Sequence, residues 1–512
     1  MNKLYDAIVI GAGNGGLVAA CTLHQTGKSV LLVESQNSPG GCSNALIKGR
    51  FEFDSSLQQV CDYGNIIDSG NLRELFARLG IIDKLEFVDA KEAFRVINVD
   101  DLNEDYILPF GIDDFINKIE TYVPGNLDVM NDFFELCHEC RDAMDYINSI
   151  EGNLDISVLK SKYPSFMSVA PYSLKDVLNK LNISKKVQDI ISSCWFYLGA
   201  SASDISFVHY AIMFYNYITL KAQVPVLGSY DITLTLEDQF RKMGGEIRYS
   251  TSAMEILVEN NEVTGVKLSD DEVYGCKHII CNMSPHNVYG KLINYEKVPK
   301  QANKLCNQRV FGGRGFNIYL GLNKSKEELG ITNYNYFLYH SLDSDEAIKK
   351  MMDLDNDSCV VTCVNNALDK CSFKGTTILC FKAMYFSDCF DKEVSEVNYY
   401  NLKEQLALKY IENFERTLGI ELKDSIEEIE ILSPVDFAYL TNSPQGVVSG
   451  YYASKNDNLI PRMLGLYNED YINGLRFCGA FSYRLSTMSA SYLSGEMAAN
   501  MTLKDMKGGS NK

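Results

Sequence analysis

The hydrophobic pattern at the start of the chain predicts a strand, a helix and a second strand in close succession. Residues 5–10 form a short apolar run, residues 11–16 read Gly-Ala-Gly-Asn-Gly-Gly, and an apolar stretch of helical character follows. A second short apolar run, residues 29–33, ends at Glu34. Short apolar runs that are bounded by turn residues are typical of buried strands. The pattern therefore predicts a parallel βαβ unit, the beginning of an α/β fold.

The glycines between the first strand and the helix have the spacing of a dinucleotide-binding turn. Gly11 permits the tight turn, Gly13 lets the backbone approach a pyrophosphate, and Gly16 lets the helix pack closely on the strand. The free N–H groups and positive dipole end of the helix N-terminus attract the phosphates. Glu34 lies about twenty residues further on, where a carboxylate accepts hydrogen bonds from ribose hydroxyls. An ordinary βα turn is the alternative, but the complete context of strand, turn, helix, strand and acid favours a binding site.

Two later segments carry elements that could rejoin this unit. Near the middle of the chain, residues 237–268 predict a helix, a Gly-Gly stop, a short strand and a hairpin with Asn260-Asn261 at its turn. A closing strand is predicted over 278–282. Near the C-terminus, residues 474–480 predict a buried strand and a turn, and residues 489–499 predict a helix with small residues on one face.

The intervening chain is predicted to be helical in its first part and mixed in its second. In residues 110–222 the apolar residues recur with the spacing of a helix, and few stretches alternate between apolar and polar residues as a strand does. Ser173 begins a capping-box pattern. Residues 301–434 combine strands such as 316–320 with one long helix near 401–417.

A second glycine pair distinguishes between the dinucleotides that could bind. Residues 38–43 read Ser-Pro-Gly-Gly-Cys-Ser, and a Phe-x-Phe-Asp strand follows at 51–54. This pattern resembles the FAD fingerprint of the amine oxidase and phytoene desaturase superfamily, in which the glycine pair lies near the flavin end of the cofactor. The superfamily usually has Arg after the pair, and Cys42 is instead similar to the carotenoid isomerase and retinol saturase branch. The two later segments, residues 237–282 and 474–499, extend the resemblance over nearly the whole chain. Its motifs are specific for FAD binding, and they do not specify the substrate.

The resemblance implies a fold and a domain order. The fold is α/β, with a Rossmann-like FAD-binding domain and an interleaved α+β substrate domain. The FAD-binding domain is expected over residues 1–105, 225–295 and 435–503, the substrate domain over 106–224 and 296–434, and a tail over 504–512.

The resemblance also implies which residues contact FAD. The backbone at Ala253 would meet the adenine, and the C-terminal helix would point its N-terminus at the flavin N1–O2 edge. The family usually has Asp where this chain has Ala480, and a glycine-rich stretch where it has Arg484 and Thr487, so the reaction is less well defined than the cofactor. The expected contacts are Gly11, Gly13, Asn14, Gly15, Gly16, Glu34, Ser35, Gly40, Gly41, Cys42, Ser43, Ala253, Met254, Gly479, Ala480, Thr487 and Met488.

Two side chains are candidates for a role in catalysis. The thiol of Cys42 could donate a proton or form a transient adduct, although a small residue that fits the turn is the favoured interpretation. The guanidinium of Arg484 could stabilise anionic reduced flavin or hold a substrate carboxylate, against the alternative of a surface Arg. The pair Cys137-x-x-Cys140 lacks a second pair of ligands, so helix packing is favoured over zinc or redox chemistry. The six histidines form no H-x-x-H pattern, and no metal is predicted.

An aromatic concentration marks the inserted helical segment. Its functional interpretation is the wall of an apolar tunnel that leads to the flavin, and its alternative is ordinary core packing. The stretch Phe207–Leu220 could instead dip into one membrane leaflet. The aromatic residues are Trp195, Phe196, Tyr197, Phe207, Tyr210, Phe214, Tyr215 and Tyr217.

Composition narrows the class of partner and the compartment. The formal net charge of −19 over 512 residues opposes binding to nucleic acid, which requires clustered Lys and Arg. No run of roughly 18 or more apolar residues occurs, so no membrane span is predicted. Fifteen cysteines without a framework spacing, and no signal peptide before the first strand, predict a reducing cytoplasm, with peripheral membrane contact as an addition.

The resemblance implies a flavoenzyme that acts at carbon–carbon double bonds of a lipophilic molecule of carotenoid, retinoid or unsaturated fatty acid type. The reaction would be desaturation, saturation or flavin-assisted isomerisation, with FAD carrying the redox chemistry. Because no second Gly-x-Gly-x-x-Gly occurs, we expect electrons from the substrate or from an external donor or acceptor. An FAD-dependent amine oxidase is the alternative, although the flavin-linked Lys that it requires cannot be placed in the sequence. A non-catalytic flavin-binding protein is the second alternative.

Overall fold

A computed structural model describes residues 3–150, 154–454, 457, 471–482 and 487–508 of the chain. In chain order its strands are β1 Ala7–Ile10, β2 Val30–Val33, β3 Ala45–Lys48, β4 Phe51–Asp54, β5 Phe87–Asp89, β6 Phe94–Asn98, β7 Asp105–Leu108, β8 Gln223–Pro225, β9 Glu246–Arg248, β10 Ala253–Glu259, β11 Glu262–Leu268, β12 Val273–Gly275, β13 Ile279–Cys281, β14 Arg314–Leu322, β15 Asn335–Tyr339, β16 Cys359–Cys363, β17 Thr377–Tyr385, β18 Ile426–Leu432 and β19 Leu475–Phe477.

The helices occur between these strands and are concentrated before β8. They are α1 Asn14–Gln25, α2 Asn71–Arg78, α3 Ile112–Tyr122, α4 Leu127–Ser149, α5 Ile156–Lys162, α6 Pro164–Val169, α7 Leu174–Lys180, α8 Lys185–Ser192, α9 Trp195–Leu198, α10 Phe207–Leu220, α11 Ser229–Lys242, α12 Pro285–Asn287, α13 Lys300–Gln308, α14 Ser344–Lys350, α15 Cys389–Glu393, α16 Tyr399–Leu418, α17 Pro434–Thr441 and α18 Met488–Met506. Single-turn 3₁₀ or π segments lie at Ile82–Lys84, Val288–Leu292, Tyr295–Lys297, Val364–Asn366, Asp369–Cys371, Lys423–Ser425 and Pro444–Gly446.

A parallel sheet in the order β19-β13-β1-β2-β9 brings the three predicted blocks of sequence together. Every residue of β1 and β2 is buried, because the sheet is covered on both faces. Ala7 and Val9 face a core formed with helices α1, α2, α11 and α18. Ile8 and Ile10 face a second core formed with the antiparallel sheet β10-β11-β12. This is the predicted Rossmann-like α/β arrangement, and its strands end at one edge, where ligands bind in such sheets.

A larger mixed sheet has the order β18-β14-β17-β16-β15-β6-β7. Its neighbouring strands are antiparallel except β15 and β6, which pair in parallel. The nine residues of β17 are all buried, because both faces of this strand are covered. Leu379, Phe381 and Ala383 face the core beneath α16. The alternate residues Cys380 and Lys382 face the opposite side of the sheet.

The helices between β7 and β8 form an aromatic core that also packs on the larger sheet. The capping box predicted at Ser173 is present, because Ser173 Oγ accepts from the Asp176 N–H and the Asp176 carboxylate accepts from the Ser173 N–H, both at 3.2 Å. The helix predicted over 237–243 is the end of α11, which begins earlier, at Ser229. The predicted boundary at residue 105 falls within β7, and β6 and β7 pair with the larger sheet.

Candidate functional site

A cavity of about 370 Å³ lies between the edge of the parallel sheet and the larger sheet. Segments that are far apart in the sequence meet in its wall, which is the arrangement that the three predicted blocks require. The predicted contact residues in the wall are Gly11, Gly13, Asn14, Glu34, Ser35, Gly40, Gly41, Cys42, Ser43, Ala253, Ala480, Thr487 and Met488.

The remaining predicted contacts lie outside the wall. Gly15, Gly16 and Gly479 pack behind it, since a Cβ added at Gly16 would lie 1.9 Å from the Gly11 carbonyl oxygen and one at Gly15 would lie 2.9 Å from the Gly479 nitrogen. Met254 is 54 % exposed and does not line the cavity. The structure places Met254 at an irregularity in the pairing of β10 with β11, where Met254 and Glu255 are both exposed, and its contact with FAD stays a prediction.

Backbone rather than side chains forms the wall at the first glycine turn. Gly11 has φ +97°, which only glycine adopts readily. Gly13 caps α1 without a side-chain hydrogen bond, so the first N–H groups of the helix are left for a ligand. The second glycine pair is tied to this turn, because the Gly40 N–H donates to the Ala12 carbonyl at 2.9 Å. Such a cradle of N–H groups and bare Cα atoms fits a pyrophosphate.

Asn282, at the end of β13, is a wall residue that the sequence analysis missed. A Cβ at Gly13 would lie 2.6 Å from Asn282 Nδ2, and a Cβ at Gly479 would lie 2.3 Å from Asn282 Oδ1. The side chain therefore occupies the space that the glycines of two different blocks leave free. Its position directly after a predicted parallel strand is the signal that could have identified it.

The Glu34 carboxylate is buried and held in place by backbone donors. Oε2 accepts from the Ala12 N–H at 2.7 Å, and Oε1 accepts from the Gln36 N–H at 2.8 Å. Oε1 also accepts from Ser35 Oγ at 3.2 Å, so Oε2 is the oxygen with a lone pair left to accept from a ribose hydroxyl. Glu34 thus links the glycine turn to the end of β2 in addition to its predicted role.

Cys42 is exposed to the cavity while it lies deep within the protein. This depth raises the pKa of its thiol to about 11. The thiol is therefore protonated at neutral pH, which disfavours the transient adduct, since the thiolate is the nucleophile.

The N-terminus of α18 also reaches the cavity. Thr487 caps this helix by accepting from the Ala490 N–H at 3.1 Å, and Met488 Sδ lies 3.4 Å from Ser56 Oγ. Arg484 lies outside the described residues, so its proposed role stays a prediction.

The opposite side of the cavity contains a buried lysine. Lys382 of β17 is 6 % exposed, and its Nζ donates to Thr362 Oγ1 at 2.8 Å and to the Leu57 carbonyl at 3.3 Å. Burial lowers the pKa of Lys382 to about 8. Its cross-strand neighbour Asn317 also lines the cavity. Neither residue belongs to a motif that can be recognised in the sequence.

Most of the aromatic concentration packs in the core. Phe196 and Tyr197 line the cavity, whereas Trp195 and Tyr210 are completely buried among other rings. The tunnel interpretation is therefore wrong for most of the set, and core packing is correct. Most of helix α10 also packs in this core, with Ile212, Met213 and Tyr215 partly buried at its edge, and membrane contact stays a prediction.

Other candidate sites of the sequence are structural. Cys137 and Cys140 are completely buried on α4, as packing residues are. Among the described residues, no group of three or more His, Cys, Asp or Glu side chains could hold a metal ion. None of the helices in the described part of the chain is long and apolar enough to cross a membrane.

The chain is similar to known proteins over most of its length. A family model for the NAD(P)-binding Rossmann-like domain matches residues 9–79. All-trans-retinol 13,14-reductase from Danio rerio is 24 % identical over 486 residues, which cover 89 % of this chain and 78 % of that protein. Chloroplastic prolycopene isomerase from Daucus carota is 24 % identical over 516 residues, which cover 99 % of this chain and 81 % of that protein.

The fold has counterparts among solved structures of amine oxidases. Wild-type putrescine oxidase bound to putrescine superposes with a TM-score of 0.64 at 13 % identity, over 98 % of this chain and 99 % of that chain. At this identity the likeness concerns the fold. The chain is a distant homologue of the retinol saturase and prolycopene isomerase proteins over most of its length, and it has a dinucleotide-binding Rossmann-like domain within an amine-oxidase-like α/β fold.

Proposed function

We propose that this protein is an FAD-dependent oxidoreductase that acts on carbon–carbon double bonds of a lipophilic substrate of carotenoid, retinoid or unsaturated fatty acid type. The proposed reaction is desaturation, saturation or flavin-assisted isomerisation. The observation that carries the proposal is that the glycine turn, the second glycine pair and the N-terminus of α18 line the same cavity. The distant homology to a retinol reductase and a prolycopene isomerase supports the choice of substrate class.

The residues of the chain would bind and orient the cofactor. The N-terminus of α1 and Gly13 would hold the pyrophosphate, Glu34 would accept from the ribose, and Ala253 would contact the adenine. The positive end of α18, capped by Thr487, would favour negative charge near the ring. Bound FAD would supply hydride exchange or electron transfer to the substrate.

The far wall would exclude water and receive an apolar molecule. Phe196, Met384 and Val448 give it apolar surface, and Phe481 extends this surface beside Ala480. Pockets for lipophilic ligands are apolar with a few polar groups that fix orientation. We expect the external electron partner to act on the flavin, because one dinucleotide fingerprint occurs in the sequence.

One observation favours an amine oxidase as a second candidate. Lys382 supplies a lysine in the cavity wall, which is the group that the amine oxidase alternative requires. The fold also resembles that of putrescine oxidase. Against this candidate, the ammonium group of Lys382 would repel a protonated amine.

Reconstitution followed by product analysis tests both candidates. The purified protein is titrated with FAD and then incubated anaerobically, oxidised or chemically reduced, with polyenes, retinoids, unsaturated fatty acids and primary amines. We expect about one non-covalent FAD per chain and conversion of an unsaturated lipid. Consumption of amines alone would establish the second candidate, and tight FAD binding without turnover of any compound would favour the non-catalytic alternative.

A further inference from the structure

We propose that Lys382, together with Tyr197, forms a receptor for a carboxylate group of the substrate. The substrate would then be an unsaturated carboxylic acid rather than a hydrocarbon or an alcohol. This inference rests on the proposed function, because it names the substrate class for that cavity.

The position of Lys382 is costly unless an anion binds there. The residue is 6 % exposed, and the acceptors of its Nζ are neutral, a hydroxyl and a carbonyl. Among the described residues, no carboxylate lies within ion-pair distance of this Nζ, and the electrostatic attractions of Cys380 and Asp54 are smaller than the effect of burial. Charged groups in protein interiors are normally paired, since desolvation of an unpaired charge is expensive. An ammonium has three N–H groups, so one N–H of Lys382 is left for a ligand.

A chain of buried hydrogen bonds runs from Lys382 to Tyr197. Lys382 Nζ donates to Thr362 Oγ1 at 2.8 Å, and Thr362 Oγ1 donates to Asn335 Oδ1 at 2.7 Å. Asn335 Nδ2 donates to Gln59 Oε1 at 3.1 Å, and Gln59 Nε2 donates to the Tyr197 hydroxyl oxygen at 2.9 Å. Thr362, Asn335 and Gln59 are each no more than 3 % exposed.

The direction of this chain favours donors at both of its ends. Thr362 presents an acceptor to Lys382, which stabilises the ammonium form. The Tyr197 oxygen accepts from Gln59 and also from Asn335 Nδ2, at 3.4 Å. Both Lys382 and Tyr197 line the cavity. A cation and a hydroxyl fixed by one polar network suit a carboxylate, whose oxygens accept from charged and from neutral donors.

Matched pairs of ligands test the proposal on the FAD-loaded protein. The probes are all-trans-retinoic acid against all-trans-retinol, and linoleic acid against linoleyl alcohol. Binding is followed by perturbation of flavin absorbance and by quenching of the single tryptophan, Trp195, which is next in sequence to the wall residue Phe196. We expect the acids to bind more tightly than the alcohols, and Lys382→Met to weaken acid binding by at least about tenfold while alcohol binding changes little.

Two further variants separate the receptor from other effects. Tyr197→Phe should weaken acid binding less than Lys382→Met does, because it removes a neutral donor. Lys326→Met is the control, because Lys326 is a mostly buried lysine outside the cavity that is paired with Asp369. It should leave the preference for acids unchanged.

The outcomes distinguish this proposal from the proposed function. Equal affinity of wild type for acids and alcohols, or equal losses for both in Lys382→Met, would overturn the carboxylate receptor even if double-bond turnover is found. A lower flavin midpoint potential in Lys382→Met with an unchanged acid preference would assign the cation to the reduced flavin instead, and would also overturn it. Failure of the protein to bind FAD or to convert any unsaturated compound would contradict the proposed function, whatever the acid preference.

Discussion

The two sides of the cavity are built in opposite ways. On the side of the parallel sheet, bare glycines and backbone N–H groups form the wall, and Asn282 fills the space between them. On the side of the larger sheet, buried side chains form it, and Lys382 ends a polar network that crosses several strands. The wall on the side of the parallel sheet suits the pyrophosphate, which all dinucleotide cofactors share. The second wall suits a particular substrate, since specificity comes from individually placed polar groups.

The strongest test of the glycine wall is Gly13→Val. The new Cβ would lie 2.6 Å from Asn282 Nδ2, and the valine methyl groups would enter the space of the pyrophosphate. We expect FAD affinity to fall by at least about 100-fold, which corresponds to about 2.8 kcal/mol. The measurement is a fluorescence titration with FAD.

Gly290→Ala is the control for Gly13→Val, because a Cβ at Gly290 meets no heavy atom within 4 Å. It should bind FAD as the wild type does. Retention of normal FAD affinity by Gly13→Val would mean that the cofactor does not approach this turn.

Glu34→Ala should weaken both the fold and the cofactor site. The change leaves the N–H groups of Ala12 and Gln36 without their acceptor. We expect the free energy of unfolding of the apo-protein to fall by about 1–3 kcal/mol and FAD affinity to fall by about tenfold. Glu255→Ala, at an exposed position of β10, is the control and should change neither quantity. If the free energy of unfolding of the apo-protein is unchanged in Glu34→Ala, these two hydrogen bonds do not stabilise the fold.

Lys382→Met should stabilise the apo-protein at neutral pH, in contrast to Glu34→Ala. Burial lowers the pKa of Lys382 from 10.5 to about 8, so the folded protein bears a penalty for the ammonium form. We expect a gain of about 1–3 kcal/mol in the free energy of unfolding, measured by denaturant titration at pH 7. Lys326→Met should lose stability, because it breaks an ion pair.

The pH dependence of this gain has a definite sign. Between about pH 8 and pH 10.5 the unfolded state binds more protons at Lys382 than the folded state does. The contribution of Lys382 to stability therefore rises with pH across this window, and the advantage of Lys382→Met should shrink. A loss of stability in Lys382→Met at pH 7 would show that the lysine is a structural residue of the sheet.

Cys42→Ala should have the smallest effect. The thiol lines the cavity but remains protonated, because its pKa is raised to about 11. We expect a change in FAD affinity of less than about threefold, about 0.6 kcal/mol, and slow alkylation of Cys42 by iodoacetamide at pH 7. Rapid alkylation at that pH would contradict the assigned protonation state.

The glycine wall could be predicted from the sequence because its determinants are local. Gly11, Gly13 and Gly16 act within one turn, and Glu34 follows at a fixed distance along the chain. The missed residue Asn282 depends on which strand pairs with β1, since β13 joins it only in the folded sheet. Local patterns do not specify such pairing.

The cavity wall on the side of the larger sheet could not be predicted from the sequence. Its network joins Gln59, Tyr197, Asn335, Thr362 and Lys382, which lie on separate elements. Lys382 reaches the cavity because side chains alternate along β17, and its neighbours Phe381 and Ala383 face the core beneath α16. Within a strand that is buried on both faces, alternation of polar and apolar residues gives no indication of which face meets a cavity.

The aromatic segment is a sequence feature that suggested a cavity wall, but most of its residues pack in the core. The sequence shows that Trp195 and Tyr217 are near other aromatic residues, but both rings are completely buried. Only Phe196 and Tyr197 of the concentration reach the cavity wall. A segment rich in aromatic residues is compatible with a packed core and with the wall of a tunnel, and only the tertiary packing distinguishes the two.

Anaerobic single-turnover product analysis shows whether this protein converts carbon–carbon double bonds. FAD-loaded wild-type protein, oxidised or chemically reduced, is mixed with one unsaturated carboxylic acid at a time, and both the flavin spectrum and the product mass are followed. We expect a product that differs by two hydrogens as the flavin changes redox state, or a geometric isomer of equal mass, and no product with Gly13→Val. Unchanged unsaturated compounds across the panel, together with flavin reduction by amines, would contradict it.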